Sequence, residues 1–413
     1  MKYLLMAFFA IYPIANIIEI TDGIGLATIS GGLVLLCTPF FFIQKVFIRR
    51  ERLHLGSPFL FFTGLFAFCA LSGLWAYDQD AYAEEIIALA QTFVFLLIAD
   101  LFVSNQSDVD DLLKAYVIGT LILAAIIFVS FLLGSVDSNP FATAELGRYS
   151  LAGADPNIKA MQMNIGIAII LGHAVMSTNR AANFAMVGLL ILAIVLTGSR
   201  TGFLCMVAII TIFIFYQVSF RQALLQWIIV AVCFTAVYSL WDFRNSSIDL
   251  TRFENMVEDG VDTDLAGREY IWPKVLTVFI DNPVAGLGYG TFAAYHSDKH
   301  GSDQDAHNTH LNFLAETGLI GYILFLCVYG LIPKYWRALH NRDLQRTYAA
   351  IFVTLLMSSI TLNLAQYFTF WIFVVLMERT VYERGGKIRR AVTAHHNEEI
   401  EDRLERLRRA VQH

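Results

Sequence analysis

The sequence predicts an all-α polytopic membrane protein, and three observations predict it. Of 413 residues, 57% are hydrophobic and only 15% are charged. The mean hydropathy is positive. The apolar residues also fall into repeated blocks of about 20, the length that crosses a hydrocarbon core as a helix. A soluble chain of this length would hold two or three domains and would not need so much apolar surface.

Taken in order, the blocks are 3–20, 24–44, 58–76, 83–103, 113–133, 159–176, 181–197, 202–218, 222–241, 311–332, 347–366 and 367–382. They predict about twelve transmembrane helices. The first follows Met1-Lys2, and no small-x-small cleavage site precedes Thr21-Asp22-Gly23, so a retained helix is expected rather than a signal peptide. The last two are separated only by a short polar patch near Asn363 and Gln366.

Basic residues orient the bundle. Lys45, Arg49, Arg50 and Arg52 follow the second block, Lys334, Arg337, Arg342 and Arg346 follow the tenth, and Arg384, Lys387, Arg389 and Arg390 follow the last. An even number of spans puts all three groups on one side, which is then the cytoplasmic side and holds both termini. The linker with Asp78, Asp80, Glu84 and Glu85 falls outside. The net charge of -6 adds nothing to this assignment. Cys37, Cys69, Cys205, Cys233 and Cys327 all sit in apolar blocks, and an odd set without paired spacing predicts neither a disulfide framework nor a zinc site.

The expected organisation is therefore a membrane domain, 1–382, with one large external loop, 242–310, between helices 9 and 10, and a tail, 383–413. A shorter external loop, 134–157, holds Pro140, Gly147, Gly153 and Pro156. The large loop contains a helix pattern from Gly267 through Leu276 toward Ile280, broken by Asp281-Asn282-Pro283 and the glycines up to Gly290. A loop of that length with its own helix reads as functional. In the tail, Ile400, Leu404, Leu407 and Val411 recur at helical spacing, an amphipathic cytoplasmic helix with Asn397 placed to cap it.

Two arginines and two histidines lie on the external side of this topology. Arg200, in Thr197-Gly198-Ser199-Arg200-Thr201-Gly202, stands at a helix start, where a guanidinium fork and helix N–H groups together suit phosphate or diphosphate. Snorkelling to the interface is the alternative, although it does not require the small residues around it. Arg268 opens the loop helix and is placed to be a second arm of such a clamp, or to pair with Glu269, Asp264 or Asp262. Lys274 is a further candidate two turns on.

The richest stretch is Asp305-Ala306-His307-Asn308-Thr309-His310, a polar cluster that runs straight into an apolar helix with Glu316 and Gly318. His307 and His310 are three apart and would share a helix face. Metal binding with Asp303 and Asp305 is one reading, but it lacks a third strong ligand. A neutral histidine acting as general base near a helix N-terminus is another, and simple interfacial hydrogen bonding is a third.

The spacing from His307 to Gly318 resembles the His-x10-Gly motif of the bacterial O-antigen ligase and polymerase superfamily. Arg200 with Leu204 resembles its Arg-x-x-x-Leu motif, the run Gly267 to Gly290 resembles its Gly-Arg…Trp…Asn-Pro…Gly-x-Gly segment, and Asp155-Pro156-Asn157 also has a counterpart. The resemblance implies a glycosyltransferase of the membrane-embedded C type in the bacterial inner membrane, needing no metal or other cofactor and facing the periplasm. Its donor would be a glycan on undecaprenyl diphosphate and its acceptor a hydroxyl, first of all on lipid A–core in lipopolysaccharide biosynthesis. By this carry-over Arg200 and Arg268 bind the diphosphate and stabilise the leaving group, and His307 activates or positions the acceptor. Lys274, His310 and Asn308 are further substrate-binding candidates.

The resemblance also admits a polymerase that joins lipid-linked repeats, and a protein O-oligosaccharyltransferase. A flippase or transporter is the reading from another class, which midspan charges and internal repeats would favour. Glu19, Glu85 and Asp100 lie near helix ends instead, and no repeat is evident. Nothing points to nucleic acid.

Overall fold

The computed structural model describes residues 1–14, 19–21, 24–50, 55–133, 142–145, 148–151, 155–172, 180–217, 268–301, 304–339 and 341–381. The ninth expected helix, all of the large loop before Arg268, Cys233 and the tail lie outside them. What is described is dominated by helices, with two small antiparallel hairpins between them.

The helices are α1 (Lys2–Ile11), α2 (Leu26–Ile43), α3 (Ser57–Leu71), α4 (Gln79–Phe102), α5 (Gln106–Leu133), α6 (Pro156–Gly172), α7 (Arg180–Leu196), α8 (Arg200–Gln217), α9 (Arg268–Asp281), α10 (Phe292–His300), α11 (Thr309–Ala338), α12 (Arg342–Ser359) and α13 (368–381). The hairpins pair Glu19–Thr21 with Ile24–Gly25 and Ala142–Glu145 with Arg148–Leu151. Five stretches among the described residues are long and apolar enough to cross a membrane: Ile29–Ile48, Ser57–Leu74, Gln79–Phe102, Gln106–Leu132 and Thr309–Ala338.

Local chemistry explains the differences from the expected blocks. The first block does not run to residue 20: α1 ends at Ile11 and gives way to a 3-10 turn, Tyr12–Ile14, whose Pro13 lacks the N–H that an α-helix needs. The loop helix runs Arg268–Asp281, one residue beyond the predicted limit, and Asn282-Pro283 ends it as expected. The polar patch at Asn363 and Gln366 is a true break between α12 and α13.

α13 is the centre of the bundle. Residues 368–380 are all buried, as expected for a helix apolar all round and surrounded by others. Trp371 packs on Phe62 of α3 and on Phe325 and Tyr329 of α11. One end of α13 is fixed by charge. The buried Arg379 guanidinium pairs with Asp100 at the end of α4, whose other oxygen accepts the Gly56 N–H at 2.9 Å. Glu378 accepts the Ser57 N–H at 3.0 Å and the Tyr335 hydroxyl at 2.9 Å. Two carboxylates thus cap the start of α3, where the helix presents unpaired N–H groups and partial positive charge.

Candidate functional site

The start of α11 is over-determined by hydrogen bonds. The Asn308 amide oxygen accepts the N–H groups of His310 at 3.0 Å and Leu311 at 3.1 Å, an N-cap of the usual kind. The Thr309 N–H and hydroxyl both donate to the Leu362 carbonyl, at 3.0 and 2.8 Å, and its hydroxyl oxygen accepts the Leu364 N–H at 3.0 Å. Asp305 accepts from the Ala306 N–H and from the Asn312 amide. The turn before α11 is therefore locked onto the turn between α12 and α13.

His307 stands between these locked points at a backbone φ of +47°. Histidine tolerates this left-handed conformation better than most residues, though not freely. The conformation takes His307 out of the helix, so it does not share a face with His310, and the spacing argument for the pair fails. His307 is exposed and lines a cavity of about 240 Å³ with Glu85, Asp155, Asp305, Glu316, Asn363, Gln366 and Tyr367. His310 turns into the bundle, where its ring nitrogens lie 3.2 Å from the Tyr322 hydroxyl and 3.0 Å from that of Ser359.

Gly318 explains why a glycine stands so close behind this cluster. Its φ of 60° and ψ of -161° split α11 into two helical halves. The freed N–H groups of Leu319 and Ile320 donate to the carbonyls of Pro283 and Val284 at 2.8 and 3.2 Å. The freed carbonyls of Ala315 and Glu316 accept from Leu287 and Gly288 at 3.0 and 2.8 Å. Irregular backbone inside an apolar helix is tolerated where protein takes up its polar groups, and the segment after α9 does that here. The kink also presents Glu316, 5% exposed, to the floor of the cavity. There Glu316 accepts the Phe292 N–H at 3.3 Å, with Asp305 and Glu85 as charged neighbours.

The arginines lie on the Asp155 side. Asp155 accepts the Asn157 N–H at 2.7 Å, and the Ser199 hydroxyl donates to Asn157 at 2.8 Å while accepting the Gly202 N–H at 3.0 Å. This chain of bonds ties the start of α6 to the cap of α8, where Arg200 is the first helical residue. The small residues around Arg200 have their own task. A side chain at Gly202 would stand 2.5 Å from the Ala160 methyl, so glycine lets α8 approach α6. The argument that those residues serve the anion rather than the packing does not hold.

Arg268 is half-buried and donates to the Thr361 carbonyl at 3.1 Å. Burial lowers its pKa from the ordinary value, the Asp155 carboxylate raises it, and the Arg200 guanidinium lowers it again. The two arginines and Asp155 are thus within electrostatic reach of one another. Arg268 Nε is buried with no partner among the described residues, an orphan donor that an anion would satisfy. Of the carboxylates that sequence offered it, Asp262 and Asp264 lie outside the described residues, as does the side chain of Glu269.

Asp155 and Arg200 thus both act electrostatically on Arg268, and Asp155 also lines the His307 cavity. Lys274 is not among them: its ammonium lies 3.2 Å from His296 Nε2, between α9 and α10. Asn308 commits its amide oxygen to the helix cap. Among the described residues no group of three or more His, Cys, Asp or Glu side chains could hold a metal ion. Asp303 lies outside them.

A second cavity, of about 500 Å³, shares Gln366 and Tyr367 with the first. Phe8, Leu35, Phe95 and Phe368 line it, so a polar chamber and an apolar groove meet at one turn. Sequence reasoning saw Glu85, Glu316 and that turn but gave them no part in the site. Glu316 had a usable signal, an ionisable residue inside a membrane-length apolar helix.

Residues 185–326 match a family model described as O-antigen ligase, and the match supports the O-antigen ligase and polymerase superfamily and glycan transfer of that type. The matched span contains Arg200, Arg268, Lys274, His307, Asn308, His310 and Gly318. No curated protein matches the chain.

Proposed function

We propose that the chain transfers a glycan from undecaprenyl diphosphate to an acceptor hydroxyl, as an O-antigen ligase acting on lipid A–core at the periplasmic face of the bacterial inner membrane. The observation that carries this reading is the meeting of three environments at one place. An arginine pair with an orphan donor adjoins a histidine-lined polar cavity, and that cavity adjoins an apolar groove. A lipid-linked diphosphate glycan needs all three: a groove for the polyprenyl chain, cations for the diphosphate and a polar chamber for sugar and acceptor.

In the reaction, the acceptor oxygen forms a bond to the anomeric carbon as the bond from that carbon to the diphosphate oxygen breaks. His307 takes the hydroxyl proton, and undecaprenyl diphosphate departs with its negative charge. Arg268 is anchored on the Thr361 carbonyl before the reaction begins, and with Arg200 it stabilises the charge that develops on the leaving group. Because the arginines supply the positive charge, the reaction needs no divalent cation. Asp305, Glu316 and Glu85 line the acceptor chamber, where carboxylates suit sugar hydroxyl donors. Asn308 and His310 position the start of α11, and Lys274 on α9 is a further substrate-binding residue. Twelve spans and cytoplasmic termini complete the reading, with the tail, 383–413, on the cytoplasmic surface.

The experiment is transfer by purified protein from a lipid-linked donor to an acceptor. Arg200→Ala and His307→Ala each abolish it while leaving the protein inserted, and full activity in both would overturn the reading. Acceptor choice separates the two members of the superfamily. A strain lacking this chain loses polymer on lipid A–core if the protein is a ligase, and retains single-repeat caps if it is a polymerase.

A further inference from the structure

The end of the bundle remote from His307 holds a polar cavity of about 380 Å³. Glu85 and Phe102 mark the two ends on α4, about 25 Å apart at the rise of an α-helix. The remote cavity is lined by Lys2, Lys45 and Arg49 against a single carboxylate, Asp108, with Gln44, Ser104 and Asn105 as neutral hydrogen-bonding groups. Its one carboxylate is already held, since Lys2 bridges Asp108 at 3.1 Å and Asp111 at 2.7 Å. Lys45 is held as well: its ammonium donates to the Leu101 carbonyl at the end of α4 and sits 5.6 Å from the centre of the Phe102 ring.

A second observation says what this cavity adjoins. Leu33, Leu36, Phe40, Ile43 and Phe47 recur at three- and four-residue steps along α2 and its π-helical extension, Gln44–Ile48. All five are exposed, Leu36 at 78% and Phe47 at 69%. In a helix long and apolar enough to span a membrane, such a stripe faces hydrocarbon. The cavity lies at the end of that stripe, so Lys45 and Arg49 adjoin the last turn of the apolar helix.

We propose that this cavity binds the phosphodiester headgroup of an anionic phospholipid, whose acyl chains lie along the α2 stripe. Free phosphate offers the same charge but leaves the stripe unused. The proposal is independent of glycan transfer, because none of its residues lies in the chamber at His307. A basic recess between transmembrane helices is the kind of surface that recognises acidic lipid headgroups.

The test uses the full chain in nanodiscs of equal phosphatidylglycerol and phosphatidylcholine, with retained lipid read by native mass spectrometry. The wild type retains phosphatidylglycerol over phosphatidylcholine, and Arg49→Gln lowers that preference about fivefold, the effect of one cation near an anionic headgroup. Arg49→Lys restores it, and millimolar inorganic phosphate does not displace the lipid. Arg49 is preferred to Lys45 for the test because Lys45 also holds the end of α4, and a wild-type elution profile and melting temperature of Arg49→Gln in detergent report that the fold is intact. Equal retention of the two lipids by the wild type, an undiminished preference in Arg49→Gln, or displacement by phosphate alone would each overturn the proposal.

Discussion

Replacing Gly318 with alanine tests the joint on which the chamber is built. The residue sits at φ 60° and ψ -161°, a conformation essentially reserved for glycine. A Cβ there would stand 2.5 Å from the Val284 carbonyl group and 2.6 Å from the Ala285 nitrogen, which are backbone atoms and cannot rotate away. Backbone strain alone is on the order of 1–3 kcal/mol. Relieving the clash moves the 283–288 segment, and losing two of its four bonds to α11 adds about 1 kcal/mol each. The joint is then destabilised by about 3–5 kcal/mol, and since each 1.4 kcal/mol is a factor of ten, the competent arrangement falls at least about a hundredfold. The rest of the bundle does not depend on this joint, so Gly318→Ala elutes as folded protein on size exclusion. Its initial rate of transfer from a lipid-linked donor falls by two orders of magnitude or more. A rate within threefold of the wild type would refute the reasoning.

Three further predictions follow from the geometry. Arg268→Lys keeps the charge but loses the planar fork, so donor affinity falls at least about tenfold in a lipid-binding assay. His310→Ala removes the contacts to Tyr322 and Ser359. It therefore lowers the melting temperature, at about 1 kcal/mol for each bond, yet retains far more transfer activity than His307→Ala. Asp100→Ala takes the carboxylate away from the buried Arg379 and destabilises the protein by about 3–5 kcal/mol in a thermal melt, with no direct effect on donor affinity.

Much of the fold was legible because hydrophobic blocks and turn residues act locally. The loop helix from residue 268, its termination at Asn282-Pro283 and the break at Asn363 all follow from patterns a few residues long. The site was legible only in part. Arg200 and Arg268 stood out because cations at the starts of helices have few structural uses, and in the structure both Arg200 and Asp155 act electrostatically on Arg268. The His307–His310 spacing misled because it presumed a helix, whereas Asn308 is the cap and the helix starts at Thr309, two residues after His307. Glu85 and Glu316 come from α4 and α11, far apart in sequence, and only the kink at Gly318 and the turn after α13's neighbour α12 bring them to one cavity. The glycines near Arg200 show the opposite trap, since Gly202 serves close helix packing and Gly198 takes the left-handed turn before α8.

The most direct test of the central claim separates donor binding from transfer in one experiment. Purified wild type, His307→Ala and an Arg200→Ala/Arg268→Ala double variant are given the lipid-linked glycan donor, with and without acceptor. Bound donor and transferred glycan are both measured. The account predicts that His307→Ala binds donor at near wild-type affinity and transfers none, and that the double arginine variant fails to bind donor. Transfer by His307→Ala at the wild-type rate, or full donor binding by the double arginine variant, would contradict it.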